Sequence, residues 1–336
     1  MRLLFVATEL PKASGITTFV DNVAARLRQA GHTVDVKVSG DSVDNAADYD
    51  VVHLHGLWSP VFHRVVRSLR TAAIRPRLVW SPHGMLQKWA LKNKWWKKLA
   101  ALALYQLRDL RFADVIHVTA ASEVQDVRRL GLKNRLVVAP LGVTVASPKG
   151  TGADAERRTL LFVSRVQRKK GLPNLIESWH RLSEEVRSGW RVRIVGPDED
   201  NHIGELRAQC SRLGIADGEI LFVGPKYGAE LAAEYESANA FVLPTHSENF
   251  GSVVVEALAY AVPVITTKAA PWEELKTHDC GWWIEDSVDE LAATLREVLT
   301  TSPAELVEKG MRGRRLVETR YSWDAVVRTM MEAYER

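Results

Sequence analysis

Short aliphatic, β-branched runs alternate along this 336-residue chain with longer stretches in which apolar residues recur every three or four positions. In the first half the runs 3–7, 33–38, 51–55, 78–81, 115–119 and 136–139 read as strands. Helical patterns fill most of the gaps, such as 17–28, which places Phe19, Val23 and Leu27 on one face. The rhythm restarts at 160–164 and continues through 192–195, 220–223, 240–243, 262–266 and 282–284. Strands alternating with helices predict parallel sheets, because a parallel return needs a long crossover that a helix supplies. The chain is too long for one small core. The pattern therefore predicts an α/β protein of two doubly wound, Rossmann-like domains, 1–150 and 151–320, hinged at the Pro-, Gly- and Ser-rich stretch 147–153.

In open α/β sheets, ligands sit beyond the carboxyl ends of the strands. The unusual loops of this chain all fall at such ends: 9–15, 55–59, 81–86, 164–171, 196–201 and 245–251. Two sheets facing each other would line one cleft with these loops, a place for two substrates.

Composition narrows the class. Hydrophobic residues at 46% and charged residues at 26% belong to a soluble globular protein rather than a disordered chain. No apolar run approaches the roughly 20 residues that span a bilayer. The short apolar start ends at Glu9 and reads as a first strand, not as a signal peptide. Cys210 and Cys280 lack metal-like spacing, which fits a reducing, cytoplasmic setting. The net charge of +4 conceals an asymmetry: residues 1–150 hold 22 basic and 11 acidic side chains, the remainder 23 and 30. Halves of opposite sign suggest domains with different partners.

Two carboxylates, Glu248 and Glu256, stand eight positions apart after the strand 240–243. A helix is expected from near Gly251 to about Tyr260, with Ser247 as its N-cap. Glu248 then lies in the loop beside the free N–H groups of Phe250, Gly251 and Ser252, and Glu256 sits one and a half turns into the helix. Free amides attract anions and hydroxyl oxygens, and a carboxylate accepts two hydrogen bonds from a vicinal diol. One carboxylate for a sugar and one for a ribose is a chemically sensible pair. The same residues also suit a plainer role, with Glu248 complementing a helix N-terminus and Glu256 facing solvent.

Strand 160–164 runs straight into Ser164-Arg165-Val166-Gln167-Arg168-Lys169-Lys170-Gly171, with a helix opening at Leu172. Planar guanidinium donors and a compact ammonium in such a turn would hold a diphosphate and stabilise charge on a departing nucleoside diphosphate. A solvated basic turn is the alternative. Two His-Gly turns, His55-Gly56 and His83-Gly84, close apolar strands in the first half. A histidine there can bind a sugar hydroxyl or handle a proton near neutrality, or simply cap a turn. Gly15, just before a helix, can bring backbone N–H groups near phosphate.

Together these pieces resemble the retaining glycosyltransferases of the GT-B fold, specifically glycosyltransferase family 4. The resemblance covers nearly the whole chain and is strongest over 160–266. Glu248 and Glu256 match the family's Glu-x7-Glu pair in the context Leu243-Pro244, Ser247-Glu248-Asn249-Phe250-Gly251 and Glu256-Ala257-Leu258. Arg165 and Lys170-Gly171 match its diphosphate-binding residues, and His83 its active-site histidine. Ile194-Val195-Gly196-Pro197, Phe222-Val223-Gly224, Leu141-Gly142-Val143 and Tyr321-Ser322-Trp323 match flanking segments. The resemblance implies two Rossmann-like domains facing across a cleft, with the acceptor in 1–150, the nucleotide-sugar donor in 151–320, and 321–336 crossing back as a helix. Glu256 would grip the ribose. Glu248, with the amides of Phe250 and Gly251, would hold the sugar, and Asn249 belongs to the same donor-binding set. Arg165, Lys170 and the Gly15 loop would neutralise the diphosphate, and His83 would contact the sugar and the forming bond. Members use neither metal nor further cofactor, and retain anomeric configuration by front-face attack assisted by the leaving diphosphate. Two positions depart from the pattern: Ser14 replaces the first of two glycines, and Ala261 stands where glycine is usual.

Residues 86–111 mix seven cations and a single Asp109 with Trp89, Trp95 and Trp96. Basic residues with interfacial aromatics compose a helix lying on anionic lipid, although a surface helix packing its Trp and Leu inward has the same composition. No nucleic-acid motif accompanies the basic face. The His55-Gly56-Leu57-Trp58 and Pro82-His83-Gly84-Met85-Leu86 version of the first domain resembles bacterial enzymes of exopolysaccharide, capsule or lipopolysaccharide assembly. That implies a glycan or lipid-linked saccharide acceptor at the cytoplasmic face of the inner membrane. A nucleotide-sugar epimerase and a non-catalytic nucleotide-sugar-binding protein are the other readings of the architecture. Their products distinguish them: a new glycoside, an epimerised donor, or an unchanged one.

Overall fold

The computed structural model describes residues 1–11, 14–86, 95–145, 157–248 and 250–335. One sheet contains β1 (Arg2–Ala7), β2 (Thr33–Lys37), β3 (Val51–His55), β4 (Arg77–Ser81), β5 (Val115–Val118) and β6 (Arg135–Val138), in the order β2-β1-β3-β4-β5-β6. The other contains β7 (Arg158–Val163), β8 (Trp190–Val195), β9 (Ile220–Gly224), β10 (Ala240–Leu243), β11 (Val264–Thr267) and β12 (Gly281–Ile284), in the order β12-β11-β10-β7-β8-β9. Every described pairing is parallel. The chain divides into two compact units, Met1–Gly142 with Tyr321–Arg336, and Val143–Arg320. The hinge expected at 147–153 lies outside the described residues.

The strands read as apolar runs because helices cover both faces of each sheet. Alternate residues of a strand point to opposite faces. In the first unit Leu4, Val6, Val52, Leu54 and Trp80 therefore pack with Phe62, Val65 and Leu69 of the helix Pro60–Thr71. Leu3, Phe5, Val51 and Val79 face the other way, against Phe19, Val23 and Leu27 of the helix Gly15–Gln29. The last helix, Trp323–Glu335, joins that second cluster with Trp323, Val326, Met330 and Tyr334, each at most 3% exposed. Burying Met330 or Val326 stabilises by about 1.5–3 kcal/mol.

Most strand ends match expectation within two residues, and one shift has a clear cause. The helix Ser252–Ala259 ends with Ala261 N–H bonded to Leu258 O and Val262 N–H bonded to Ala257 O, each at 3.0 Å. This is the paired capping pattern that closes helices on a left-handed residue. It consumes the N–H groups of both residues, and Pro263 has none, so β11 begins at Val264 rather than at 262.

Ala261, where glycine is usual, carries φ 58°, the left-handed conformation that this cap demands. A side chain there costs roughly 1–2 kcal/mol, against roughly 0.5–1 kcal/mol for glycine's extra backbone entropy. Ala261→Gly is expected to stabilise the protein by about 0.5–1 kcal/mol. Urea denaturation checks this, and a lowered midpoint would show that the methyl group packs to advantage.

Candidate active site

The second sheet changes winding direction between β7 and β10, neighbours in space whose onward connections diverge, and ligand crevices form at such points. Two loops meet there. After β7 the chain passes Arg165 and tightens into a short 3-10 turn, Arg168–Lys170, before Gly171 at φ 71° starts the helix Leu172–His180. A Cβ on Gly171 would lie 1.8 Å from the Pro244 carbonyl oxygen, so only glycine lets the two loops close up. His246 N–H then donates to Lys169 O at 2.9 Å, and the Thr245 hydroxyl to the same oxygen at 3.2 Å.

This closure separates the basic turn into different roles. Arg165 is exposed and pairs with Glu199 at 2.7 Å, and Arg168 is exposed and pairs with Glu205. Lys170 alone is buried, and its ammonium pairs with the Glu248 carboxylate. The solvated-turn reading thus holds for Arg168 and fails for Lys170. Glu199, from the acidic turn 198–200, serves as an arginine partner.

Beyond Glu248 the loop is held from outside. Glu248 N–H donates to Ala269 O at 3.0 Å, and the Trp272 indole N–H donates to Phe250 O while the two rings lie 5.2 Å apart. Asn249 lies outside the described residues. The helix starts at Ser252 with Gly251, at φ 76°, as its N-cap; Ser247 is not the cap. Ser247 instead bonds locally through Thr245, whose hydroxyl accepts its N–H at 3.3 Å. Among the described residues no side chain caps the helix Ser252–Ala259, and Val254 N–H closes its first turn on Gly251 O at 2.9 Å.

Glu256 does not face solvent. Its Oε2 accepts the Tyr235 hydroxyl at 2.9 Å. Burial raises the Glu256 carboxyl above its ordinary value, opposed by hydrogen bonds from Tyr235 and Ser252. The Tyr235 phenol is pushed well up, first by burial and then by that carboxylate.

The first unit holds His83 at φ 49°, in the left-handed region, and Trp58 at φ 68°. Such strain in non-glycine residues clusters at functional sites. Gly84 N–H donates to Glu123 at 2.8 Å, and Trp58 N–H to Gln106 at 3.2 Å, holding both turns. His83 Nε2 meets His55 Nδ1 at 3.1 Å. Beneath them lies a chain whose proton positions follow from one carbonyl. Ala139 O can only accept, so His117 Nε2–H donates to it at 2.7 Å. His117 Nδ1 then accepts the Ser81 hydroxyl at 2.6 Å, and Ser81 Oγ accepts His53 Nε2–H at 2.6 Å. His53 Nδ1 finally accepts the Tyr334 hydroxyl at 2.8 Å, from the last helix.

Gly15 opens the helix Gly15–Gln29, and Ser14 caps it by accepting Thr17 N–H at 3.2 Å. The departure from two glycines therefore makes a serine cap. Sequence reasoning missed His53, His117, Ser81, Tyr334, Glu123, Tyr235 and Trp272. His53 had a signal, since strand periodicity puts it on the same face as His55; the others bond across distant segments.

Residues 146–315 match the family described as glycosyl transferases group 1, and residues 41–147 match glycosyltransferase family 4. The chain is 26% identical to the D-inositol 3-phosphate glycosyltransferase of Xylanimonas cellulosilytica, over 85% of this chain and 72% of that protein. It is 27% identical to the GDP-mannose:cellobiosyl-diphosphopolyprenol alpha-mannosyltransferase of Xanthomonas campestris, over 85% and 73%. Among solved structures, Anabaena Alr3699/HepE in complex with UDP matches with a TM-score of 0.74 at 18% identity, over 99% of each chain. At that identity the likeness speaks for the fold.

The buried imidazoles make a pH prediction. Burial is the first cause in each case: it holds His53 and His55 well below the ordinary 6.5, His117 at about 4 and His83 at about 3. Above pH 6.5 both folded and unfolded chains keep these rings neutral, and nothing is lost. As pH falls below 6.5 the unfolded chain binds protons first, so stability drops by up to about 1.4 kcal/mol per pH unit for each ring until its folded value is reached. Melting temperature is expected to fall steeply between pH 6.5 and 4. A flat profile from pH 7 to 5 would contradict the neutral, proton-ordered chain.

Proposed function

We propose that this chain, which belongs to the group 1 glycosyl transferases and has their GT-B fold, is a retaining hexosyltransferase. It would move a sugar from a UDP- or GDP-linked donor to a glycan or lipid-linked saccharide in exopolysaccharide, capsule or lipopolysaccharide assembly. The observation that carries the reading is the buried Lys170–Glu248 pair beside the helix start at Gly251. A diphosphate is the better partner for Lys170, and its arrival would free Glu248 to accept hydroxyls of the donor sugar. The amides at Phe250 and Gly251, with Asn249, would bind the same sugar, and Glu256 the ribose. Arg165, exposed and able to swing from Glu199, would add charge at the diphosphate together with the Gly15 loop. His83, neutral at working pH, would donate to a sugar hydroxyl rather than carry charge.

In the reaction the acceptor hydroxyl attacks the anomeric carbon on the face that the diphosphate leaves. The C1–O bond to phosphate breaks, the new C1–O bond forms, and the acceptor proton passes to the departing phosphate oxygen. Lys170 and Arg165 stabilise the charge growing on that leaving group. Residues 1–150 would bind acceptor and 151–320 donor, with 321–336 returning to the first.

The setting would be the cytoplasmic face of the inner membrane. Residues 95–112 are helical throughout, with a π-helical turn at Leu102–Gln106. Trp95, Trp96, Leu99 and Leu104 are 57–76% exposed there, beside Lys97 and Lys98, which supports contact with lipid over inward packing. Residues 87–94 of this stretch lie outside the described residues. Among the described residues no helix is long and apolar enough to cross a membrane.

Incubation with UDP-glucose, UDP-galactose, UDP-N-acetylglucosamine and GDP-mannose, plus a bacterial lipid-linked saccharide extract, tests the activity. Release of UDP or GDP with a new glycoside of retained configuration is expected; an epimerised or unchanged donor would overturn the reading. Lys170→Ala should lower kcat by roughly 10²–10³-fold and donor affinity much less, because its partner gains charge in the transition state. Equal turnover would remove Lys170 from the diphosphate site. Replacing Lys97 and Lys98 by Glu should weaken sedimentation with anionic vesicles by roughly tenfold or more. Unchanged sedimentation would leave a plain surface helix.

A further inference from the structure

The helix Gly228–Ser237 contributes one side chain to the site, Tyr235, which is only 2% exposed. Its ring is stacked on Tyr260 at 5.3 Å and 10°, and tilted against Phe241 at 6.2 Å. Held on both sides, the phenol has one direction open to its hydroxyl, and it spends that direction on Glu256 Oε2 at 2.9 Å. Ser252, one turn earlier on Glu256's own helix, also hydrogen-bonds the carboxylate. A free glutamate rotates about three bonds and offers either oxygen to a ligand. This one is fixed by a rigid aromatic wall.

We propose that Tyr235 is a positioning residue for the nucleotide: it reserves Oε2 of Glu256 and thereby aims the remaining lone pairs of the carboxylate at the ribose hydroxyls. The inference rests on the reading of Glu256 as the ribose-binding group. It adds that discrimination between an intact ribose and a deoxyribose depends on Tyr235, a residue without contact to the nucleotide of its own. Without the phenol hydroxyl the carboxylate turns, and an intact ribose loses its advantage.

Isothermal titration of the full chain with UDP, GDP and the 2′- and 3′-deoxy forms of whichever binds tests this. Tyr235→Phe keeps the ring and its stacking. It is expected to weaken binding of the ribonucleotide roughly tenfold, the worth of one hydrogen bond to a charged group. The deoxy form that the wild type disfavours should bind the variant almost as it binds the wild type. Glu256→Gln, which keeps the shape of the partner, should abolish the same discrimination, and adding Tyr235→Phe to it should cost nothing more. A Tyr235→Phe variant that binds and discriminates like the wild type overturns the inference alone. Equal losses for all nucleotides would reduce Tyr235 to a packing residue and overturn it as well. Absence of wild-type binding to both UDP and GDP overturns the donor reading and the inference with it.

Discussion

The contact between Gly171 and the Pro244 carbonyl is the constraint from which the candidate site of the second unit follows. A Cβ 1.8 Å from that oxygen is not an accommodation a side chain can make, so the position belongs to glycine alone. With it, the loops after β7 and β10 close on each other and Lys170 leaves solvent to meet Glu248. Such a pair is a weak source of stability. Desolvating two charges costs about as much as their attraction returns, whereas removing one partner leaves a buried charge and costs about 3–5 kcal/mol. A fold that keeps this pair gains little stability from it, and under the proposed function the pair serves the chemistry instead. Among the described residues the helix at Ser252 also has no side-chain cap, and its first turn closes through Val254 N–H on Gly251 O instead.

The first unit is organised by a different economy, one of proton positions. The carbonyl of Ala139 has no proton to give, and that single fact orders His117, Ser81, His53 and Tyr334 in turn. Each member is satisfied only if all are, which is the condition under which a buried polar network specifies a structure. Its far end is on the last helix, so the helix Trp323–Glu335 is held by a directed hydrogen bond as well as by Trp323 and Met330. The network also grips Ser81, two residues before His83, and so supports a backbone that sits at φ 49°.

Much of the fold was legible in the chain because strands buried on both faces have to be nearly continuous apolar runs, as β1, β4, β7 and β10 are, while β2 and β8 show by alternation. The start of β11 was not, because the helix cap at Ala261–Val262 claims N–H groups that a residue count assigns to the strand. The basic turn 165–170 showed where cations gather but not which one is buried, since that depends on Pro244, more than seventy residues away. Ser247 had the chemistry of an N-cap, yet the helix begins only at Ser252, with Gly251 in that place. Tyr235 left no local trace, since it acts on a segment that its own neighbours do not specify, and Glu123 showed only as the acid of a helix start, accepting Thr119 N–H, not as the partner of Gly84.

The two carboxylates of the Glu-x7-Glu pair are thus prepared in opposite ways. Glu248 is matched by a charge, Lys170, and under the proposed function a diphosphate takes that charge over and releases the hydrogen-bonding capacity of Glu248. Glu256 is matched by neutral hydroxyls, of Tyr235 and Ser252, packed on its own side of the site. Under the proposed function this division is what the reaction needs. The ribose end of the donor does not change during transfer, and a rigid acceptor serves it best. The sugar end breaks a bond, and a group that becomes available only once the diphosphate has arrived commits the site to donors that carry one.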